Sequence, residues 1–245
     1  MSSRPPRSRP ISVNASTVLP LLASIVLVAG IWDTITHVFD RAGVREDAYR
    51  ASAENDETQI ETAIRAFYTE YGRYPTPNRV DDDAYYGPGP LPPPLAGKAI
   101  NMGSNALLID VLRYNVSGSN GAIVEAVNPR KIVFIDVLPV KDASHPVSGV
   151  MPNGSPNAGA WFDPWGSAYN ILVDANYDSN LVNPYADAPG GATIKGKACA
   201  IWSFGKNGVL GGGPHTGDGF SDEAGTVGNY YSTPGNSSGD VISWQ

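Results

Sequence analysis

The chain has 245 residues, 42% of them hydrophobic, and a formal net charge of −7 at pH 7. That acidity, with no basic cluster beyond Arg4, Arg7 and Arg9, excludes a nucleic-acid binder, whose phosphate contacts need clustered positive charge. A single cysteine, Cys199, excludes an intrachain disulfide, and 27 Gly with 21 Pro point to a loop-rich head with short strands and against a helical bundle.

Residues 1–16 read as a basic cytoplasmic N-terminus and 17–37 as a transmembrane helix. No charge occurs from Pro10 to Trp32, and Leu19, Leu21, Leu22, Ile25, Val26, Leu27, Val28 and Ile31 fill that run. About 20 such residues cross a ~30 Å hydrocarbon layer. The arginines before them hold the N-terminus inside by the positive-inside rule. A cleavable secretory signal is the competing reading, but no small-x-small cleavage site follows before Asp33.

Residues 38–74 form the expected amphipathic helix. Ile60, Ile64, Phe67 and Tyr71 recur at helical spacing, and Glu54, Asp56, Glu57, Glu61, Arg65 and Glu70 are assigned to the other faces. Gly72 supplies a stop and Pro75 prevents resumption. Residues 17–72 as one helix would extend on the order of 80 Å, with Pro20, Gly30 and Gly43 as bending points. A membrane helix followed by a separate soluble helix is the alternative.

Residues 75–100, with Gly87-Pro88-Gly89-Pro90 and Pro92-Pro93-Pro94, read as a connector without a central strand. Residues 101–245 form the expected extracytoplasmic head. It has a helix within 101–115 and strands at Lys131–Val137, Tyr169–Val173 and Ala198–Phe204, where β-branched and aromatic residues concentrate.

Three stretches carry a resemblance. Tyr68-Thr69-Glu70-Tyr71-Gly72-Arg73-Tyr74-Pro75 is followed by Asp163-Pro164-Trp165-Gly166-Ser167-Ala168-Tyr169. Then come Trp202-Ser203-Phe204-Gly205-Lys206-Asn207-Gly208 and a terminal Gly239-Asp240-Val241-Ile242-Ser243-Trp244. In this order, behind an apolar N-terminal helix, they resemble the major pseudopilins of type II secretion over residues 17–75 and 160–245. Asn128-Pro129-Arg130-Lys131 is similar to a strand of that family's larger members. The resemblance implies a pilin-like α+β fold, a long N-terminal helix packed on a small antiparallel sheet with a loop-rich C-terminus. It also implies a calcium ion held near Asn207 and Asp240. The implied partners are other pseudopilin subunits and the inner-membrane secretion platform. Two departures stand out. The chain lacks a Gly-Phe-Thr-Leu-x-Glu run, with no acidic residue between Pro10 and Trp32, and Asn207 stands where the family has Asp.

The remaining constellations read as structural. Asp174-Ala175-Asn176-Tyr177-Asp178-Ser179-Asn180 alternates oxygen ligands but has Ser179 and Tyr185 where an EF-hand needs Gly and Glu, so it reads as an Asx-rich turn, with a non-EF calcium loop as the alternative. Asp81-Asp82-Asp83 reads as a solvated loop. His37, His145 and His215 lack zinc spacing, and Ser203 lacks a nucleophile elbow. No nucleophile, base and orienter assemble, so a catalytic residue is not expected. Trp161, Trp165, Trp202 and Trp244 read as core.

The expected function is therefore a non-enzymatic pseudopilin. It sits in the bacterial inner membrane as a single-pass subunit, its head periplasmic, and assists protein export across the outer membrane. The alternative is a membrane-anchored module that uses the same head to bind a glycan or a protein partner.

Overall fold

Helix α1, over residues 44–71, follows from the apolar stripe: Ile60, Ile64 and Phe67 are fully buried, with Ala53 and Ala63 on the same side. Each large apolar side chain removed from water contributes about 1.5–3 kcal/mol. Glu57, three residues before Ile60 and seven before Ile64, falls on this stripe and is 1% exposed, so its assignment to another face is corrected. The helix ends where Gly72 turns into the left-handed region (φ 66°) and its N–H bonds to the Tyr68 carbonyl.

This computed structural model describes residues 44–77, 80–185, 192–208, 231–233, 236–237 and 240–244. The expected transmembrane helix at 17–37, the basic N-terminus and the first residues of the amphipathic segment lie outside them. Among the described residues no helix is long and apolar enough to cross a membrane. The chain divides into two compact units, Met1–Ala48 and Tyr49–Gln245. Only helical residues 44–48 of the first are described, and the second carries the sheet, the hairpins and the core.

The fold is mixed α+β. Strands β1 (Asp83–Tyr86), β2 (Ala99–Asn101), β5 (Asn170–Val173), β8 (Cys199–Ser203) and β11 (Val241–Ile242) form one sheet in the order β11-β8-β5-β1-β2. Every pairing is antiparallel except β1 with β2, which is parallel, so the sheet is mixed where an antiparallel one was expected. Two-stranded hairpins pair β3 (Gly149–Val150) with β4 (Trp161–Phe162), β6 (Asn180–Val182) with β7 (Thr193–Lys195), and β9 (Tyr231–Thr233) with β10 (Asn236–Ser237).

Strand β1 corrects the reading of 75–100 as a plain connector, since it is hydrogen-bonded on both sides and wholly buried. The prolines that argued against a strand stop at Pro77 and resume at Pro88, leaving the donors of Asp83–Tyr86 intact. Conversely, 131–137 forms no ladder. Its Phe134 N–H bonds to the Leu112 carbonyl, and the segment lies extended against helix α2 (Ala106–Arg113) with Val133 exposed. The expected strand at 128–131 is a turn, with Lys131 at φ 60°.

Alternation of side chains divides the core between the two faces of the sheet. Ala84, Tyr86, Ile171, Val173, Cys199, Ile201 and Val241 pack with α1, α2 and helix α3 (Gly121–Val127). Tyr85, Leu172, Ala200, Trp202 and Ile242 face the other way, onto Leu95, Leu181, Tyr185, Ile194 and Trp244. The buried Trp161, Trp202 and Trp244 are core as expected, and Trp165 is half-buried.

Candidate functional site

The motif residues knit the head together. At the end of α1, the Tyr71 hydroxyl donates to Asn128 Oδ1 at 2.6 Å, and the Asn128 amide donates to the carbonyls of Val111 and Ile132. Arg73 donates to the Val127 carbonyl at 2.8 Å, and Tyr74 stacks on Tyr177 with ring centroids 5.2 Å apart. The tyrosines around Gly72 thus dock the helix terminus onto α3 and the 174–180 loop.

Asp163 organises the second and third motifs. Its Oδ1 accepts the main-chain N–H groups of Trp165, Gly166 and Ser167 at 2.9, 2.7 and 2.8 Å, which curls the Asp-Pro-Trp-Gly turn around one carboxylate oxygen. Its Oδ2 accepts the Ser203 hydroxyl, whose oxygen in turn accepts the Gly205 N–H. The two stretches, 40 residues apart, meet at this one side chain. Burial pushes the Asp163 carboxyl above its usual range, against the pull of these four donors.

Two acids of α1 lie near it. Glu57 lies beside the Ser203 main chain, and its Oε1 is buried without a hydrogen-bond partner. Burial first, then Glu54, Asp56 and Asp163, push its carboxyl well above the ordinary 4.5. Asp56, which accepts the Tyr169 hydroxyl at 2.9 Å, is raised to about 6, mainly by burial. A carboxyl whose folded pKa exceeds its unfolded one favours folding when protonated, so its contribution fades as pH rises through that window. Stability should fall as pH climbs from about 4.5 toward neutrality. Glu57→Gln should raise the thermal midpoint at pH 7 by several degrees and flatten this slope in part, with Asp56, Asp163 and Asp83 among the groups that supply the remainder, as read by thermal melts at successive pH values.

The expected calcium ligands meet only in part. Asn207 ends the 3₁₀ turn Gly205–Asn207 just after β8, and Asp240 just precedes β11, whose Val241 pairs with Ser203. The backbone therefore brings both to one end of the β8–β11 pair. Asp240 is buried and its carboxylate accepts the Tyr185 hydroxyl, whereas the Asn207 side chain lies outside the described residues. Only one of these two ligands carries charge, and calcium prefers several charged oxygens, so the pair by itself makes an incomplete cage. Among the described residues no group of three or more His, Cys, Asp or Glu side chains is placed to hold a metal ion.

Two features lie outside the motifs. One is Asp83, which is 2% exposed and not solvated as expected. Burial, with Asp174, Asp178 and Asp82 nearby, raises its carboxyl to about 7. Its neighbour loop is the expected Asx turn: Asp174 accepts the N–H groups of Asp178 and Ser179, both at 3.1 Å, and Tyr177 and Ser179 take positive φ. The signal for Asp83 was its place two residues before Tyr85, on the same face of a strand that the prolines concealed.

The other is an open groove of about 560 Å³ lined by Tyr68, Arg73, Thr76, Pro77 and Tyr177. Tyr68 and Tyr177 are each 41% exposed. No family model, no curated protein and no solved structure matches the chain.

Proposed function

We propose that the chain is a structural pilin-like subunit of a type II secretion pseudopilus. It is anchored in the bacterial inner membrane by residues 17–37 with its head periplasmic, and it assembles with other pseudopilin subunits on the inner-membrane secretion platform. The observation that carries this reading is the role of the resembling stretches. The Tyr68–Pro75 residues dock the end of α1, and Asp163, Ser203 and the β11 strand close the sheet that α1 packs on. A subunit of this kind needs a helix joined firmly to a head, and these residues make that joint.

Calcium at Asn207 and Asp240 belongs to the same proposal, with Asp240 as its one charged ligand. Deleting the gene should remove a set of folded proteins from the culture medium and leave them in the periplasm. The full chain, but not residues 44–245 alone, should restore export. An unchanged extracellular protein profile would reject the reading.

The groove between Tyr68 and Tyr177 favours the second reading, a tethered binding module for a glycan or protein partner, because half-exposed rings offer stacking faces. That reading expects a ligand whose binding Tyr177→Ala abolishes, with export unaffected by deletion.

A further inference from the structure

Asp83 and Asp174 meet at one end of the sheet. Antiparallel β1 and β5 pair Ala84 with Val173, so the next position brings Asp83 opposite Asp174. Both continue the alternation that puts Tyr85 and Leu172 on the face away from the helices, and both are nearly inaccessible. Directly opposed residues of an antiparallel pair hold their Cβ atoms about 4.5–5.5 Å apart, and like charges there repel. The remaining charges bearing on Asp83, from Asp178 and Asp82, are also carboxylates. The Val182 main chain lies beside the Asp83 carboxylate, and Oδ1 is buried with no hydrogen-bond partner. Sequence chemistry that stacks acids around an orphaned, buried carboxylate oxygen calls for a positive counterpart.

We propose that Asp83 and Asp174 together bind a calcium-sized divalent cation at the base of the 174–180 loop. Two carboxylates supply the charge, and neutral oxygens, from the loop's asparagine side chains and carbonyls and from water, complete a shell that calcium accepts in flexible geometry. Magnesium, which demands a near-ideal octahedron, fits such a mixed and irregular set less well. The site is separate from Asn207 and Asp240 and does not depend on the assembly proposal. Its effect on the fold is local: the cation pins β1 to the loop that places Tyr177 over Tyr74.

The test is terbium luminescence and calcium competition on the purified full chain, with Tyr74 and Tyr177 as nearby sensitisers. Asp83→Asn is the discriminating variant, because it keeps the side-chain shape and relieves the repulsion among the neighbouring carboxylates, so it folds. Saturable terbium emission, displaced by calcium and weakened at least tenfold by Asp83→Asn, is the expected result. Calcium should also raise the melting temperature of the parent and not of Asp83→Asn. Emission that Asp83→Asn leaves unchanged would put the ion elsewhere, Asp240 included, and overturn the proposal. So would the absence of any binding at millimolar calcium.

Discussion

Asp163→Ala should lower the stability of the head by about 3–5 kcal/mol, seen as a lower midpoint of urea unfolding. The loss is large because a single carboxylate serves four donors. Without it the N–H groups of Trp165, Gly166 and Ser167 lose their shared acceptor, and the Ser203 hydroxyl loses its own. An unsatisfied buried donor costs about 1–3 kcal/mol, and local rearrangement recovers part of the sum. Asp163→Asn keeps an oxygen for the turn while facing Ser203 with an amide, so it should cost about 1–2 kcal/mol. Equal losses in the two variants would mean that charge, not acceptor geometry, holds the turn.

Phe67→Ala should cost about 3–5 kcal/mol, the range for emptying a buried aromatic site. Its ring is fully buried, 4.4 Å from Tyr71 and 5.2 Å from Phe134 between ring centroids, and it ties α1 to the extended 131–140 segment. The cavity left behind is bounded by the sheet and by α2, neither of which can collapse into it without breaking other contacts. Leu138→Ala, at a side chain 81% exposed, should change stability by less than about 0.5 kcal/mol. Chemical denaturation of the three proteins side by side reads both expectations. A small effect at Phe67 would mean that α1 is not an integral layer of the head.

The helix and two strands were legible in the residues because their signals are local. Ile60, Ile64, Phe67 and Tyr71 repeat at the helical period, and β5 and β8 are short apolar runs bounded by turn residues. Strand β1 was not legible, because proline counts over 75–100 hid a proline-free stretch, residues 78–87, at its centre. The segment 131–137 had strand composition, but strands need a strand partner, and this one lies against helix α2, where its Phe134 N–H bonds to the Leu112 carbonyl.

Buried acids were the other blind spot. Charge alone took Glu57 off the apolar stripe and assigned Asp83 to solvent, although the helical period put Glu57 on the Ile60 face and the strand period put Asp83 with Tyr85. The three resembling motifs could be read singly, but not their junction: nothing local in Asp163 or Ser203 announces that the two side chains bond.

Assembly of the chain into multimers is read by a photo-cross-linking amino acid placed at Leu22 or Val26 in the apolar run. The full chain should be expressed from its own locus and irradiated in native membranes. A ladder of covalent multimers that contain this chain is the expected result, since residues 17–37 are proposed to supply the packing surface between subunits. Monomer alone, with adducts only to lipid, would contradict it and leave a head on a simple anchor.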